Sequence, residues 1–205
     1  MKSGRLYVFS GPSGAGKGTI CDRLVAEGTC DLSISMTTRE CRGKEIPDVS
    51  YYYVSKEKFQ ETIDNNGFLE WAEIYGNRYG TPKAPVLEKL EQGRDVILEI
   101  EMQGAMNVKK AYPDAVLIFV LPPSLKVLKE RLLGRGRDSE EQVALRTKSV
   151  IDEIKKIVDY DYYLINGDLD TAVEDAKKLM HGEFKRIDKS SADKIIKMFE
   201  EELEL

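Results

Sequence analysis

The run Gly11-Pro-Ser-Gly-Ala-Gly-Lys-Gly-Thr19 carries the most legible chemistry of this chain. Glycines let backbone N–H groups curl around phosphate oxygens, and a lysine at this spacing adds a mobile positive charge. Gly11, Pro12, Ser13, Gly14, Ala15, Gly16, Lys17, Gly18 and Thr19 are therefore candidates for holding a nucleotide's phosphates. Gly18 stands where such loops usually carry Ser or Thr, with Thr19 one place later. A second set of candidates is cationic. Thr37-Thr-Arg39-Glu-Cys-Arg42 offers two guanidinium groups near Tyr51 and Tyr79, provided the intervening chain folds as a small lobe. Such a pair can grip a monophosphate through several N–H donors. Arg131, Arg135, Arg137 and Arg146 gather around Gly134-Arg-Gly-Arg-Asp138, where glycine permits bending and arginines can close over another phosphate chain.

Regular elements must hold these groups. The apolar run Leu6 to Phe9 ahead of the loop reads as a strand, and Ile20 and Leu24 after it fit a helix. Val96 to Ile100 and Val116 to Val120 suit the interior of a parallel sheet, with a crossover helix over Ala105 to Ala111 that Pro113 helps to end. Tyr162 to Ile165 is a further strand, followed by a helix over Leu169 to Met180. Strands alternating with helices predict an α/β fold, a parallel sheet with helices on both faces. Two regions interrupt the alternation. Ser33 to Pro82 reads as an inserted mixed lobe, with strands around Tyr51 to Val54 and Phe68 to Tyr75 and a helix over Lys56 to Asn65. The glycine-arginine run at Gly134 reads as a moving lid. Val143, Ile151, Ile154 and Val158 form an approximate helical packing stripe. Ser190 to Glu204 is a helix with Ile195, Ile196, Phe199 and Leu203 on one face and Ser190 and Asp193 as a capping-box variant; it either docks on the core or serves a partner.

Composition narrows the function classes. With 205 residues, 41% hydrophobic and 33% charged, the chain can bury one substantial core with small lobes inserted. A net charge of -5 argues against broad attraction to nucleic acid, so arginine clusters in this acidic background suit a small polyanion better than a polymer. Cys21, Cys30 and Cys41 lack metal-site spacing and His181 is the sole histidine, which disfavours a structural zinc site or a histidine-dependent triad. His181, followed by Gly182, reads as a helix end. Unpaired thiols fit a reducing compartment, and no apolar run resembles a leader or spans a bilayer. The expectation is a cytoplasmic protein with no membrane association and no obligate protein partner.

From Gly4 to about Met180 the sequence resembles the guanylate kinase family. The resemblance rests on the ordered set Gly11-Pro-Ser-Gly-Ala-Gly-Lys17, Ser33 to Val54, Gly67-Phe-Leu-Glu-Trp71, Gly76-Asn-Arg-Tyr-Gly80, Ile97-Leu-Glu-Ile-Glu-Met-Gln-Gly104, Arg131 to Arg146 and Ile165-Asn166. It implies a P-loop nucleotide-binding core over 1–33, 83–125 and 157–205, a small mixed α/β GMP-binding lobe over 34–82 and a lid region over 126–156. It implies reversible transfer of the terminal phosphoryl group from ATP to GMP with Mg2+, giving ADP and GDP. Ser35 and Glu70 then resemble guanine readers, with Thr81 a helper. Arg39, Arg42, Tyr51 and Tyr79 resemble the GMP-phosphate cradle, Glu99 and Glu101 an acidic segment beside acceptor and magnesium, and Asn166 a residue near the donor adenine. Guanine presents an acceptor at O6 and donors at N1 and the exocyclic amine, which a hydroxyl and a carboxylate match. Two positions depart from the family pattern. Gly18 removes the usual hydroxyl, leaving Thr19 or water to face magnesium, and Asp48 stands where a glycine is common. A kinase for another nucleoside monophosphate and a non-catalytic scaffold are the alternatives.

Overall fold

The computed structural model describes residues 3–43, 45–74, 76–134 and 149–203. Its first elements are β1 (Leu6–Ser10), α1 (Lys17–Ala26), β2 (Asp31–Leu32), β3 (Met36–Thr37), β4 (Tyr52–Tyr53) and α2 (Lys56–Asp64). There follow β5 (Phe68–Ile74), β6 (Asn77–Pro82), α3 (Lys83–Glu91), β7 (Val96–Glu99), α4 (Met102–Ala111), β8 (Val116–Leu121) and α5 (Leu125–Gly134). Residues 149–154 are helical, here α6, and pass into a 3-10 turn over Lys155–Asp159. β9 (Tyr162–Ile165), α7 (Leu169–Met180) and α8 (Lys189–Leu203) complete the chain. This is the predicted α/β class, parallel strands with flanking helices and a separate mixed sheet.

The chain divides into two compact units, Met1–Val8 with Gly28–Val116, and Phe9–Glu27 with Leu117–Leu205. The first contains β2 and β7, which are parallel with Asp31 opposite Val96 and Leu32 opposite Ile97, and Leu6 to Val8 of β1. It also holds the inserted lobe, a four-stranded sheet in the order β4-β3-β6-β5. There β3 runs parallel to β4 and antiparallel to β6, and β5 antiparallel to β6. The lobe has its own apolar centre: Phe59 of α2 is buried, with its ring 4.6 Å from that of Phe68 and edge-on to Trp71. Burying one such side chain stabilises the fold by about 1.5–3 kcal/mol, enough to seat a nine-residue helix on a small sheet. The helix starts where Ser55 accepts a hydrogen bond from the Lys58 N–H, an N-cap that satisfies one of the first-turn donors.

The second unit holds Phe9 and Ser10 of β1 with β8 and β9, and β8 and β9 are parallel from Ile118 opposite Tyr162 to Leu121 opposite Ile165. Leu117 to Leu121 are all fully buried, as expected of a strand covered on both faces. α1 buries Ile20, Cys21 and Leu24, and α7 buries Ala172, Val173 and Ala176. Arg23 with Asp170 and Lys177 with Glu27 tie these two helices at the surface. His181 is the C-cap of α7, with Gly182 at φ 82 after it, as the sequence predicts.

Two local expectations are corrected. Val158 does not continue the packing stripe of Ile151 and Ile154: the helix tightens to three residues per turn, which turns Ile157 into the core and leaves Val158 55% exposed. The start of α8 is fixed by Asp188, whose carboxylate accepts from the Ser191 N–H at 2.7 Å, rather than by a box on Ser190 and Asp193. α8 docks on its own unit, burying Ala192, Ile195 and Phe199, and its Glu202 accepts the Leu125 N–H at the head of α5. Among the described residues no helix is long and apolar enough to cross a membrane.

Candidate donor and acceptor sites

The donor-type site lies wholly in the second unit. β1 feeds the glycine-rich loop, and α1 begins at Gly16, whose φ of 86 is a left-handed conformation that suits glycine. No side chain caps this helix, so its first-turn N–H groups remain available to an anion at the positive end of the helix dipole. Lys17 is 9% exposed, and its ammonium donates to Gly11 O at 2.7 Å and to Pro12 O at 3.1 Å, which fixes the charge inside the curl of the loop. An ammonium carries three donors, so one is left for a phosphate oxygen.

Arg131 and Asn166 fasten this loop from outside. Asn166 is buried; its Nδ2 donates to Ala15 O at 2.8 Å. Arg131 donates to the same oxygen at 3.3 Å and to the backbone oxygen of Asn166 at 2.9 Å. α5 brings Arg131 there because Leu128 and Leu132, one turn apart, face inward against Gly14. A cavity of about 420 Å³ opens beside the loop, lined by Gly14, Gly16, Thr19, Arg131, Asn166 and Gly167 among others. Its size suits a base and ribose. Thr19 is exposed and lines this cavity; its hydroxyl is a hard oxygen of the kind that divalent cations accept as a ligand. Among the described residues no His, Cys, Asp or Glu group of three could hold a metal by itself.

The acceptor-type site lies wholly in the first unit. Arg39 is 7% exposed, a buried cation that must be paired. Its NH2 and NH1 donate to the two oxygens of Glu45 at 2.8 and 3.0 Å, NH1 also to Glu40 O, and Nε to the Tyr79 hydroxyl at 3.2 Å. The Tyr51 and Tyr53 rings lie 5.4 and 5.9 Å from its guanidinium carbon, within cation–π range. Glu45 accepts further from the Tyr53 hydroxyl and the Arg42 N–H, both at 2.8 Å. The hydrogen bond from Arg39, assisted by these two, pulls the Glu45 carboxyl down to about 2, and the Arg39 pKa rises in turn. Arg42 itself is exposed beside the cluster. Sequence reasoning brought Arg39, Arg42, Tyr51 and Tyr79 together and missed Glu45 and Tyr53. Tyr53 could have been found, since it lies two positions after Tyr51 in a segment that reads as extended and its ring is 5.9 Å from that of Tyr51; Glu45 sits in a loop without periodicity.

Some distance along the same lobe, Glu70 and Thr81 form a second pair. A pairing irregularity places Phe68 opposite Pro82 but Glu70 opposite Thr81, and such a bulge re-aims the residue it carries. Glu70 is 8% exposed and accepts the Thr81 hydroxyl at 2.8 Å. Burial pushes its carboxyl above the ordinary range, against the smaller opposing pull of the Thr81 hydrogen bonds. Ser35 is half-buried, one residue ahead of β3. Glu99, the last residue of β7, and Glu101, the N-cap of α4, are both exposed. Arg135, Arg137 and Arg146 lie outside the described residues.

The profile of the family described as guanylate kinase matches residues 3–183. A guanylate kinase of Clostridioides difficile is 49% identical over 204 residues, 99% of each chain. One of Carboxydothermus hydrogenoformans is 50% identical over 184 residues, 89% of this chain and 90% of that one. A crystal structure of guanylate kinase from Anaplasma phagocytophilum superposes with a TM-score of 0.72 at 28% identity, covering 92% of this chain and 89% of that one.

Proposed function

The chain belongs to the guanylate kinase family, and from that premise we propose how its own residues perform the ATP-dependent phosphorylation of GMP to GDP. A phosphate oxygen of GMP attacks the terminal phosphorus of ATP, a new P–O bond forms, and the bond to the ADP oxygen breaks with its electron pair passing to ADP. The nucleophile is already ionised near neutral pH, so no strong general base is required; positioning and charge stabilisation supply the rate. Lys17 and the first-turn amides of α1 hold the donor phosphates and take up charge developing on the departing β-phosphate. Asn166 and Arg131 keep Ala15 in place, and the cavity beside them takes the donor adenosine. Arg39 and Arg42, with Tyr51 and Tyr79, orient the acceptor phosphate.

Glu70 accepts from guanine N1–H and the exocyclic amine while Thr81 holds it in register, and Ser35 donates to O6. The single observation that carries this reading is the buried Glu70 carboxylate: a desolvated acceptor whose side-chain donor is the Thr81 hydroxyl is costly unless a ligand supplies further donors. Segment 34–82 is then the GMP lobe, and 126–156 is the lid carrying the remaining arginines. The Thr19 hydroxyl would be the protein oxygen to face a magnesium ion, which would be carried mainly by the nucleotide phosphates and water and would supply charge neutralisation at the transferring group. Glu99 and Glu101 add acidic character beside the acceptor. The thiols of Cys30 and Cys41 and the acidic net charge support a cytoplasmic enzyme acting on free nucleotides, with neither nucleic acid, membrane nor obligate protein partner.

Two variants test the assignment of halves. Lys17→Ala should cut turnover by roughly 100-fold or more, since it removes a charge at the reacting phosphates, with the melting temperature little changed. Arg39→Ala should raise the GMP KM with the ATP KM near wild type. Normal turnover in the first, or an ATP-side defect in the second, would contradict the roles given.

A further inference from the structure

Gly104 sits in the first turn of α4, a helical position where nothing in the backbone calls for glycine. Its φ is not left-handed, and alanine in a helix is favoured over glycine by about 1 kcal/mol. What calls for it is Glu70. A Cβ at 104 would stand 2.8 Å from Glu70 Oε2, 3.2 Å from its Cδ and 3.3 Å from Ile100 Cδ1. The carboxylate is thus bounded on both sides: Thr81 holds Oε1 at 2.8 Å, while Oε2 lies against the bare Cα of Gly104.

We propose that Gly104 is a specificity-determining residue, whose missing side chain lets the Glu70 carboxylate lie in the plane and at the depth that guanine recognition needs. The inference rests on Glu70 being the base reader. Glutamate has three rotatable bonds, so a methyl group at 104 is absorbed by turning Glu70 aside and the fold survives. Recognition does not, because N1–H and the exocyclic amine are two parallel donors that require both carboxylate oxygens in register. Hypoxanthine offers only the first donor. A base lacking the amine therefore loses less when the carboxylate is displaced.

The test is Gly104→Ala, measured for GMP and IMP as acceptors and for ATP, with a thermal melt. The expected result is a GMP KM raised on the order of tenfold or more, the scale of effect that displacements near 1 Å produce. The IMP value should rise less, the ATP KM should stay within about twofold, and the melting temperature should be equal or higher. Glu70→Gln run in parallel separates the two layers. If it leaves GMP selectivity intact, the base-reader assignment fails; if it impairs GMP while Gly104→Ala does not, the Gly104 proposal fails alone. Should the alanine variant melt early, the Glu70→Asp background decides: the shorter carboxylate escapes the clash, so adding Gly104→Ala there should change the GMP KM by less than about twofold. An undiminished loss would overturn the proposal.

Discussion

Glu70 holds a carboxylate in a place that resists charge, and the consequence is a pH dependence with a definite sign. Its pKa is raised by burial, so protonation begins above the ordinary carboxylate range as pH falls. The protonated group cannot accept from both guanine donors, so GMP affinity should drop on acidification while the fold gains slightly from the same protonation. The GMP phosphate titrates near 6 on its own. The component belonging to Glu70 is the part that Glu70→Gln abolishes in a profile of GMP KM against pH. Glu45 behaves oppositely: its carboxyl at about 2 stays ionised across the working range, and its pairing with Arg39 persists until pH falls through that value. Glu45→Gln should raise the GMP KM several-fold with ATP binding unchanged. At Asp48 the sequence shows an oddity, an acidic residue where the family commonly has glycine. The structure gives the reason: φ is 64, a left-handed turn that the short aspartate tolerates. Asp48→Ala should destabilise by about 1 kcal/mol in a denaturant melt, with Asp48→Gly near neutral. The demand for positive φ was readable as a departure, whereas the tolerance of it required the backbone.

Elements were legible in proportion to their length and period. The β1, phosphate-loop and α1 succession could be read because an apolar strand, a glycine run and an amphipathic helix follow one another within 21 residues. Two-residue strands such as Asp31–Leu32 and Met36–Thr37 carry no period, so their pairings with β7 and β6 were not readable. The place of Asn166 just after β9 was readable; its grip on Ala15 was not, since the two are 151 positions apart. That grip makes a prediction at this scale. Asn166→Ala removes one buried hydrogen bond from the loop, worth about 1 kcal/mol, and should raise the ATP KM about fivefold while leaving the GMP KM alone. A defect confined to GMP would show that the residue does not act through the loop.

Over the whole molecule, the two clusters proposed to hold phosphates are built by different means. One is a helix terminus with a lysine, made of backbone in the second unit; the other is side chains gathered on a small sheet in the first. The alternation of strands and helices made the first readable from sequence, and the resemblance named Arg39, Tyr51 and Tyr79, which lie together, but the network that holds the Arg39 guanidinium depends on Glu45, which no spacing announced. The acidic net charge outside these clusters leaves the two sites as the features that attract a polyanion. In the proposed function, Glu70 and its neighbours select GMP, through its base, as the acceptor of the phosphoryl group of ATP. The most direct measurement is magnesium-dependent ADP and nucleoside-diphosphate formation from ATP with GMP, AMP, CMP and UMP supplied separately. Conversion confined to GMP is the result predicted; equal or preferred use of another acceptor by the folded protein would contradict it.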